Sequence, residues 1–565
     1  MTTVADRLQM LAMRHPVWTP RMLHEVLDAT AARHPDRDFV VTDAQTHSYS
    51  DIAAWSRRIA AGLRAAGIRQ GEHVALLMAN FPDYVAVKYA LSRIGAVCVP
   101  VNFLNRRDEL AYVLEQSDAV ALICMDGFRG LDYPAMLDEL APGWETAGGG
   151  ARFPKLRKVW VHPASGAPLR AGAAPLADLY EGAGAFAGVA PSTPDAVSDI
   201  IYTSGTTGAP KGVMLTHDMV LRESFCSAWC RAYDDGWRMT FSLPMYHVYG
   251  YIEGILSMPW VAGAIIPQTA FGAEATVNAI NRHRADDVLL VPTMTVLILE
   301  HLRVAPTPMP SLRAVLSSGQ RSPQGIWDQI LEHFGPVELT TGYGMTEVTA
   351  SSTFTRLGDP LERFRTTNGR LRDAGVAGDP ALGGRLIVYR IADPQTGAEV
   401  PHGEVGELQA RGPCVTRGYY NKPVETAAAF TADGWFRSGD LARWLDDDYI
   451  QLVGRTKESY RCGGEQVMPT EIEDVLTAHP AVRQAHVVPV PDDRMGEAGV
   501  AYVVRRPDVP VTEAELIALC RDRLARFKVP KHVMFIAESD LPVTPSGRAR
   551  KFLLSQRAII ELGLQ

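Results

Sequence analysis

Residues 202–217 form a segment rich in glycine and small hydroxyl side chains, and they read Tyr202-Thr-Ser-Gly-Thr-Thr-Gly-Ala-Pro-Lys-Gly-Val-Met-Leu-Thr-His217. Glycines such as Gly205 and Gly208 let the backbone turn tightly and expose N–H groups to an anion, and Lys211 adds a positive charge. The hydroxyls that can donate to phosphate oxygens belong to Thr203, Ser204, Thr206 and Thr207. The segment therefore predicts a phosphate-binding loop for a nucleoside triphosphate.

Two other interpretations of this loop are weaker. Glycine, serine and threonine often mark an ordinary turn, but the length of this run argues against a turn alone. In a Walker loop the lysine is followed directly by Ser or Thr, which holds magnesium, whereas Lys211 lies between Pro210 and Gly212. The sequence therefore argues against a P-loop kinase or GTPase.

The composition is that of a folded globular enzyme. The chain has 565 residues, of which 47% are hydrophobic and 21% charged, and its formal net charge is −8. At about 150 residues per domain, the chain is too long for one compact core. Its mild acidity gives no support for nucleic-acid binding, which needs a basic surface.

Cysteine usage and hydropathy favour a cytoplasmic protein. The seven cysteines are scattered and odd in number, which argues against a disulfide framework. Cys226 and Cys230 lie four residues apart, but no second ligand pair follows, so buried packing is favoured over zinc. The N-terminus lacks the pattern of a signal peptide, and no run of about 18 uncharged apolar residues predicts a membrane span.

Helix-like and strand-like segments alternate between residues 51 and 122. Apolar strands are predicted at 73–78 and 96–100, and helical spacing at 52–66 and 83–93. This alternation predicts βαβ units and a mainly parallel sheet covered by helices, so the fold class is α/β. Residues 141–153 have no periodicity and predict a surface loop.

The sharpest boundary follows Thr456. Beyond it we predict a helix that starts near Pro469, with Thr470 as N-cap and Glu473 three residues later. Strands at 485–490 and 500–504 and a helix at 512–526 follow. We therefore expect a large N-terminal region of several α/β subdomains, residues 1–456, and a small α+β domain, residues 457–565.

Further motifs follow the phosphate loop in a fixed order. They are Pro244-Met-Tyr-His-Val-Tyr-Gly250, Thr341-Gly-Tyr-Gly-Met-Thr-Glu347, Gly434-Trp-Phe-Arg-Ser-Gly-Asp440 and Gly454-Arg455. Together with the loop, this order resembles the adenylate-forming superfamily of acyl-CoA synthetases, nonribosomal-peptide adenylation domains and luciferases. The resemblance covers nearly the whole chain.

The resemblance implies how the site binds ATP and Mg²⁺. Tyr343 stacks on adenine, Thr346 donates to the α-phosphate, and Glu347 offers the hard oxygen that magnesium prefers. Asp440 accepts hydrogen bonds from the ribose hydroxyls, and Arg455 donates to the same sugar. The remaining residues that the resemblance places beside the nucleotide are Ser318, Gly319 and Gln320.

The resemblance also implies an acyl pocket and a domain rotation. His247 lies between the carboxylate site and the acyl or thiol channel, while the neighbouring tyrosines 246, 249 and 251 fit either a substrate pocket or the core equally well. Lys457 occupies the hinge position about which the mobile C-terminal domain turns. In the second pose that domain presents Gly463 and Gly464 on the coenzyme A side.

Two positions depart from the family's pattern. Arg548 stands where the family has a lysine that reaches the carboxylate and the α-phosphate, and a guanidinium is bulkier and planar. Either Arg548 does this work, or Lys551 replaces it, or the small domain contributes little to the first half-reaction. Gln320 and Arg321 stand where the family has Ala and Pro, and this added polarity suggests an unusual acid.

The resemblance implies an ATP-dependent acid:CoA ligase. A small carboxylic acid forms an acyl-adenylate with release of pyrophosphate, and coenzyme A then displaces AMP to give a thioester. Other outcomes stay open at this stage. They are transfer to a carrier protein, diazotisation in which nitrite is activated for an arylamine, and a weakly catalytic nucleotide-binding regulator.

Overall fold

In the computed structural model, the described residues are 2–564 without 182–183, 185, 187, 189–191, 204–208, 320–321, 323–324, 457, 463–464, 508 and 544–547. The helices are α1 Val4–Arg14, α2 Leu23–Arg33, α3 Tyr49–Ala65, α4 Pro82–Ile94, α5 Arg107–Gln116, α6 Tyr133–Leu140, α7 Trp144–Ala147, α8 His217–Cys230, α9 Ala273–His283, α10 Pro292–Val304, α11 Ile326–Phe334, α12 Leu361–Thr366, α13 Pro423–Ala429, α14 Pro469–Thr477, α15 Glu513–Arg523 and α16 Lys551–Glu561.

The strands are β1 Asp38–Val41, β2 Thr46–Ser48, β3 His73–Leu77, β4 Val97–Pro100, β5 Ala121–Met125, β6 Gly127–Phe128, β7 Leu131–Asp132, β8 Lys158–His162, β9 Ala174–Pro175, β10 Val197–Thr203, β11 Lys211–Thr216, β12 Arg238–Phe241, β13 Ala264–Pro267, β14 Asp287–Leu290, β15 Ala314–Ser317, β16 Glu338–Thr340, β17 Gly342–Met345, β18 Ala350–Phe354, β19 Arg370–Leu371, β20 Val388–Ala392, β21 Gly406–Arg411, β22 Phe436–Trp444, β23 Ile450–Arg455, β24 Tyr460–Cys462, β25 Glu465–Val467, β26 Val482–Asp492, β27 Gly496–Arg505 and β28 His532–Phe535.

Two seven-stranded sheets form the centre of the N-terminal region. One has the order β11-β10-β4-β3-β5-β8-β9 and the other β16-β15-β14-β12-β13-β1-β2. All neighbouring strands run parallel except β10 with β11 and β1 with β2. Central strands such as β5 are apolar and buried throughout, as expected for a sheet covered on both faces. The predicted α/β class is confirmed.

Two smaller antiparallel sheets carry the later motifs. One has the order β17-β18-β19, and the other β20-β21-β22-β23. Strands β6 and β7 form a separate hairpin. Tyr343 lies on β17, Asp440 on β22 and Arg455 at the end of β23, where Asp440 and Arg455 are paired across the two strands. These sheets therefore bring the motifs for base and sugar together.

The C-terminal residues build an α+β unit around its own sheet. Its strands have the order β25-β24-β27-β26, with β28 added beside β27. Helices α14 and α15 pack on one apolar cluster that includes Val487, and α16 packs on another that includes Val500. Arg483 of β26 forms an ion pair with Glu300 of α10 at 3.5 Å. The boundary between residues 456 and 457 stays a prediction.

A buried ion pair anchors β10, which leads into the predicted phosphate loop. Lys88 of α4 pairs with Asp199 of β10, and both side chains are almost fully buried. Tyr251 donates a hydrogen bond to the same carboxylate at 3.3 Å. Buried charges are stable only when paired, so this pair holds α4 and β10 together. Tyr251 belongs to the core and not to a substrate pocket.

Two local predictions were wrong. Thr470 is not the N-cap of α14, because the helix starts at Pro469, which fits the first helical position, and its N-cap is Met468. The Thr470 hydroxyl donates to Val453 O instead. Residues 141–153 are not simply a surface loop, since they include α7 and bury Trp144 and Phe153. The burial of these two aromatic side chains holds the segment against the core, although its sequence has no helix or strand periodicity.

The described part of the chain contains no helix with the length and apolarity needed to cross a bilayer. All seven cysteines are free thiols. The Sγ atoms of Cys226 and Cys230 are 3.9 Å apart, and Cys226 is buried. Among the described residues, no three His, Cys, Asp or Glu side chains form a metal cluster. The packing interpretation of this cysteine pair is consistent with these positions.

Candidate active site

The two flanks of the predicted phosphate loop lie side by side. Thr203 ends β10 and Lys211 begins β11, and the antiparallel register pairs these two residues. The intervening positions of the prediction lie outside the described residues, and they are Ser204, Gly205, Thr206, Thr207 and Gly208. The structure therefore places Thr203 and Lys211 at the base of the loop.

Lys211 is linked to Glu347 through a tyrosine that the motifs did not include. The Lys211 Nζ atom lies 4.2 Å from the centre of the Tyr419 ring, within the range of a cation–π contact. The Tyr419 hydroxyl donates to Glu347 Oε1 at 3.0 Å. The phosphate loop and the predicted magnesium ligand are therefore neighbours, although they are far apart in sequence.

Glu347 lies in a one-turn 3₁₀ helix, Thr346–Val348, directly after β17. Desolvation raises the pKa of its carboxyl, although the Tyr419 hydrogen bond and the positive charges of Lys211 and Arg455 act in the opposite direction. A desolvated carboxylate that gains from further positive charge suits Mg²⁺, which takes one or two protein carboxylates and completes its shell with phosphates and water. The residues present therefore fit this metal. Thr346 is buried in the same turn.

Tyr343, Asp440 and Arg455 form one cluster, which a hydrogen bond and an ion pair hold together. The Tyr343 hydroxyl donates to Asp440 Oδ2 at 2.5 Å, and Arg455 Nε lies 2.7 Å from Asp440 Oδ1. Desolvation and the negative charge of Asp440 raise the pKa of Tyr343, so the phenol stays protonated and donates. Each carboxylate oxygen keeps a second lone pair for a ligand hydroxyl. The structure brings these three predicted residues together.

Ser318 and Gly319 lie where β15 ends and border the same region. Ser318 Oγ donates to Gly342 O at 2.7 Å, which ties this segment to β17 just before Tyr343. Gly319 has a φ of 94°, a conformation that favours glycine. Gln320 and Arg321 lie outside the described residues, so the expectation of an unusual acid stays a prediction.

His247 is a neutral histidine in a desolvated site. Burial lowers its pKa to about 4. Its Nδ1 atom accepts from the Tyr249 backbone N–H at 3.2 Å, so the proton of the neutral ring is assigned to Nε2. Tyr249 in turn donates to Leu290 O at 2.9 Å, at the end of β14. His247 therefore stands at the carboxyl ends of the parallel strands, the edge where α/β sheets bind ligands.

Arg548 and Lys551 have different surroundings. Desolvation and the positive charge of Arg455 lower the pKa of Arg548, and the negative charges of Glu458 and Asp440 act in the opposite direction. The Arg548 Nη2 atom lies 3.8 Å from Glu458 Oε1, and the Arg548 side chain is 43% exposed. Lys551 is held 2.6 Å from Glu473 and 3.4 Å from Glu458, and these carboxylates raise its pKa against the effect of burial.

Motif matching missed two residues of this region. Tyr419 belongs to the run Arg417-Gly-Tyr-Tyr420, where two adjacent tyrosines after a glycine are the only signal. Glu458 lies between two cations, 3.4 Å from Lys551 and 3.8 Å from Arg548. Their positive charges hold the pKa of Glu458 below its usual value, although burial opposes this. The predicted hinge and coenzyme A loop, Lys457, Gly463 and Gly464, lie outside the described residues.

Comparisons with known proteins agree with this arrangement. The AMP-binding enzyme family matches residues 27–420, and its C-terminal domain matches residues 471–548. YngI of Bacillus subtilis (strain 168), named as a candidate acyl-CoA synthetase, is 35% identical over 94% of this chain and 96% of its own length. The medium-chain acyl-CoA ligase ACSF2 of Danio rerio is 30% identical over 97% of this chain and 90% of that protein. The ATP-bound crystal structure of MatB from Rhodopseudomonas palustris superposes with a TM-score of 0.82 at 26% identity, covering 95% of this chain and 99% of MatB.

The fold and the neighbouring motifs define an adenylate-forming enzyme with an N-terminal AMP-binding region and a small C-terminal domain. The chain belongs to the AMP-binding enzyme family. The prediction of an AMP-forming acid:CoA ligase that uses ATP, Mg²⁺ and coenzyme A is confirmed at the level of this class. The cytoplasmic location stays a prediction.

Proposed function

We propose that this ligase activates a small carboxylic acid at the cluster around Glu347. The acid's carboxylate oxygen attacks the α-phosphorus of ATP and pyrophosphate leaves. The thiolate of coenzyme A then attacks the acyl carbon, and AMP leaves with the bonding electrons of the acyl–oxygen bond. The observation that supports this assignment is the position of Glu347, whose Oε1 atom accepts a hydrogen bond from Tyr419 at 3.0 Å while the centre of the same tyrosine ring lies 4.2 Å from Lys211 Nζ.

In this proposal the nucleotide is held from its base to its phosphates. The Tyr343 ring flanks the base, and Asp440 accepts from the ribose hydroxyls with its free lone pairs while Arg455 fixes its orientation. Lys211 and the hydroxyls of the phosphate loop bind the phosphates. Such an attack depends on positioning and charge neutralisation and needs no general base, because the attacking carboxylate is already ionised.

Glu347 is the residue that would hold Mg²⁺ in this proposal. When bound, the metal neutralises charge on the phosphates and orients them. The backbone of Glu347 is fixed independently of any ligand, since Thr416 donates its N–H to Glu347 O at 2.7 Å. The turn that carries the carboxylate therefore keeps its place before the nucleotide arrives.

Arg548, and not Lys551, serves as the C-terminal cation of the adenylation step in this proposal. Lys551 is already neutralised by two carboxylates inside the C-terminal domain. Arg548 is farther from Glu458, at 3.8 Å, and its side chain is 43% exposed, so its planar donors can bind both an incoming carboxylate and an α-phosphate oxygen. His247, neutral with its proton on Nε2, can donate to the carboxylate without repelling Arg548.

The experiment that tests the function is acid-dependent exchange of pyrophosphate into ATP, followed by AMP release with coenzyme A. We expect exchange with at least one acid of a panel of aliphatic and aromatic acids, and thioester formation only when coenzyme A is added. Transfer to a carrier protein alone, exchange that needs nitrite and an arylamine, or ATP binding without turnover would each contradict the proposal.

Replacing Asp440 by asparagine should raise the KM for ATP by about 10- to 100-fold. The substitution keeps the shape of the side chain but removes the charge that binds Arg455 and the ribose, and hydrogen bonds to charged groups contribute about 1.5–3 kcal/mol. Initial rates of pyrophosphate exchange against ATP concentration measure the effect.

The matched control is Asp433→Asn. Asp433 also pairs with an arginine, Arg390, at 2.7 Å, but its side chain is 56% exposed, whereas that of Asp440 is 6% exposed. The KM of the Asp433→Asn variant for ATP should stay within about twofold of the wild-type value. Equal KM values for the two variants would remove Asp440 from the nucleotide site.

A further inference from the structure

Tyr419 contacts the two oppositely charged groups on which ATP binding depends. Building on the function proposed above, we propose that Tyr419 is a positioning residue for the ligase reaction. It fixes Lys211 and Glu347 relative to each other, so that the phosphates and their magnesium are bound as one unit. Tyr419 itself does not touch the reacting atoms in this proposal.

The contacts of Tyr419 suit this role. Its side chain is almost fully buried, at 5% exposure, so the ring has one stable orientation. The hydroxyl donates to Glu347 Oε1 at 3.0 Å, and the ring centre lies 4.2 Å from Lys211 Nζ. A tyrosine has only two side-chain torsions, so it fixes both partners at a low cost in conformational entropy.

The backbone around Tyr419 is bound to β11 and to Glu347. Tyr420 N donates to Gly212 O at 2.8 Å, and Met214 N donates to Gly418 O at 3.2 Å. Tyr419 also forms an isolated antiparallel bridge with Val213. On the other side, the N–H of Thr416 donates to Glu347 O at 2.7 Å. The segment 416–420 is therefore a strap that joins the phosphate-loop strand to the Glu347 turn.

Removing the hydroxyl alone should weaken the magnesium-dependent part of ATP binding. In Tyr419→Phe the ring stays over Lys211 while Glu347 loses its donor. We expect the gain in ATP affinity on adding Mg²⁺ to fall by about tenfold, with affinity for ATP in EDTA within about twofold of the wild type. Calorimetric titration of ATP with and without Mg²⁺ measures both values on the full chain and needs no acid substrate.

Tyr420→Phe is the matched control, because Tyr420 is the next residue and its hydroxyl donates to Asp118, 3.1 Å away and outside the site. It should bind Mg·ATP like the wild type. Tyr419→Leu removes the ring as well, so it should also weaken ATP binding in EDTA, by about threefold or more, through the lost contact with Lys211.

Two outcomes would overturn the positioning role. One is a folded Tyr419→Phe protein with unchanged Mg²⁺ dependence, and the other is an equal loss of affinity with and without the metal. Failure of the proposed function would look different. A wild-type protein that binds Mg·ATP but shows no pyrophosphate exchange with any acid tested would contradict the ligase assignment. The binding test of Tyr419 would still be valid in that case.

Discussion

Replacing Glu347 by glutamine should lower the rate of magnesium-dependent adenylation by about 100-fold or more while the protein stays folded. The variant keeps an oxygen that can accept from Tyr419 at the same place. It loses the negative charge that suits Mg²⁺, and the loss of one such electrostatic contact at a transition state costs about 3 kcal/mol. Pyrophosphate exchange at saturating acid and ATP over a range of Mg²⁺ concentrations measures the effect.

The stability of the same variant provides the control. Burial raises the pKa of Glu347, which means that the folded state disfavours its charge at neutral pH. The glutamine variant should therefore melt at the same temperature as the wild type or higher. A large loss of both melting temperature and activity would assign Glu347 a structural role, and full activity would exclude it as the metal ligand.

Removing the guanidinium of Arg548 should separate the two half-reactions. In Arg548→Ala we expect the adenylation rate to fall by about 100-fold, because the proposed C-terminal cation is lost at the step where charge develops. Thioester formation from a presynthesised acyl-adenylate should change by less than about threefold. Single-turnover measurements of each half-reaction give the two rates.

Two comparisons identify which C-terminal cation acts. Arg550→Ala removes the same side chain two residues further on and should leave both half-reactions within about twofold of the wild type. Lys551→Gln should lower the melting temperature, because Glu458 and Glu473 lose their partner, but should slow adenylation by less than about tenfold. A greater loss in Lys551→Gln than in Arg548→Ala would transfer the role to Lys551.

Local patterns in the sequence were enough to predict much of the fold. The helix predicted after Pro82 is α4, and the apolar run from His73 is β3, because helix period, proline position and continuous hydrophobicity all agree in these segments. The start of α14 near Pro469 was predicted correctly, but its N-cap was not, because Thr470 matches a capping pattern whereas Pro469 already occupies the first helical position and makes Met468 the N-cap.

The site was predictable only where its residues lie within motifs. Tyr343, Asp440 and Arg455 come from different motifs, and the structure joins them through a hydrogen bond from Tyr343 to Asp440 and an ion pair between Asp440 and Arg455. Tyr419 and Glu458 were missed because their contacts involve partners that are distant in sequence or lie in another element. No local pattern encodes such a contact, so it is visible only once the strands are paired.

The ion pair between Lys88 and Asp199 has a consequence for how this protein can change over evolutionary time. Breaking a buried pair by losing one partner costs about 3–5 kcal/mol, whereas exchanging both for well-packed apolar side chains is often neutral. A substitution at either position alone passes through a destabilised intermediate with a lone buried charge beside β10. Residues 88 and 199 are therefore expected to change together among related proteins, and not one at a time.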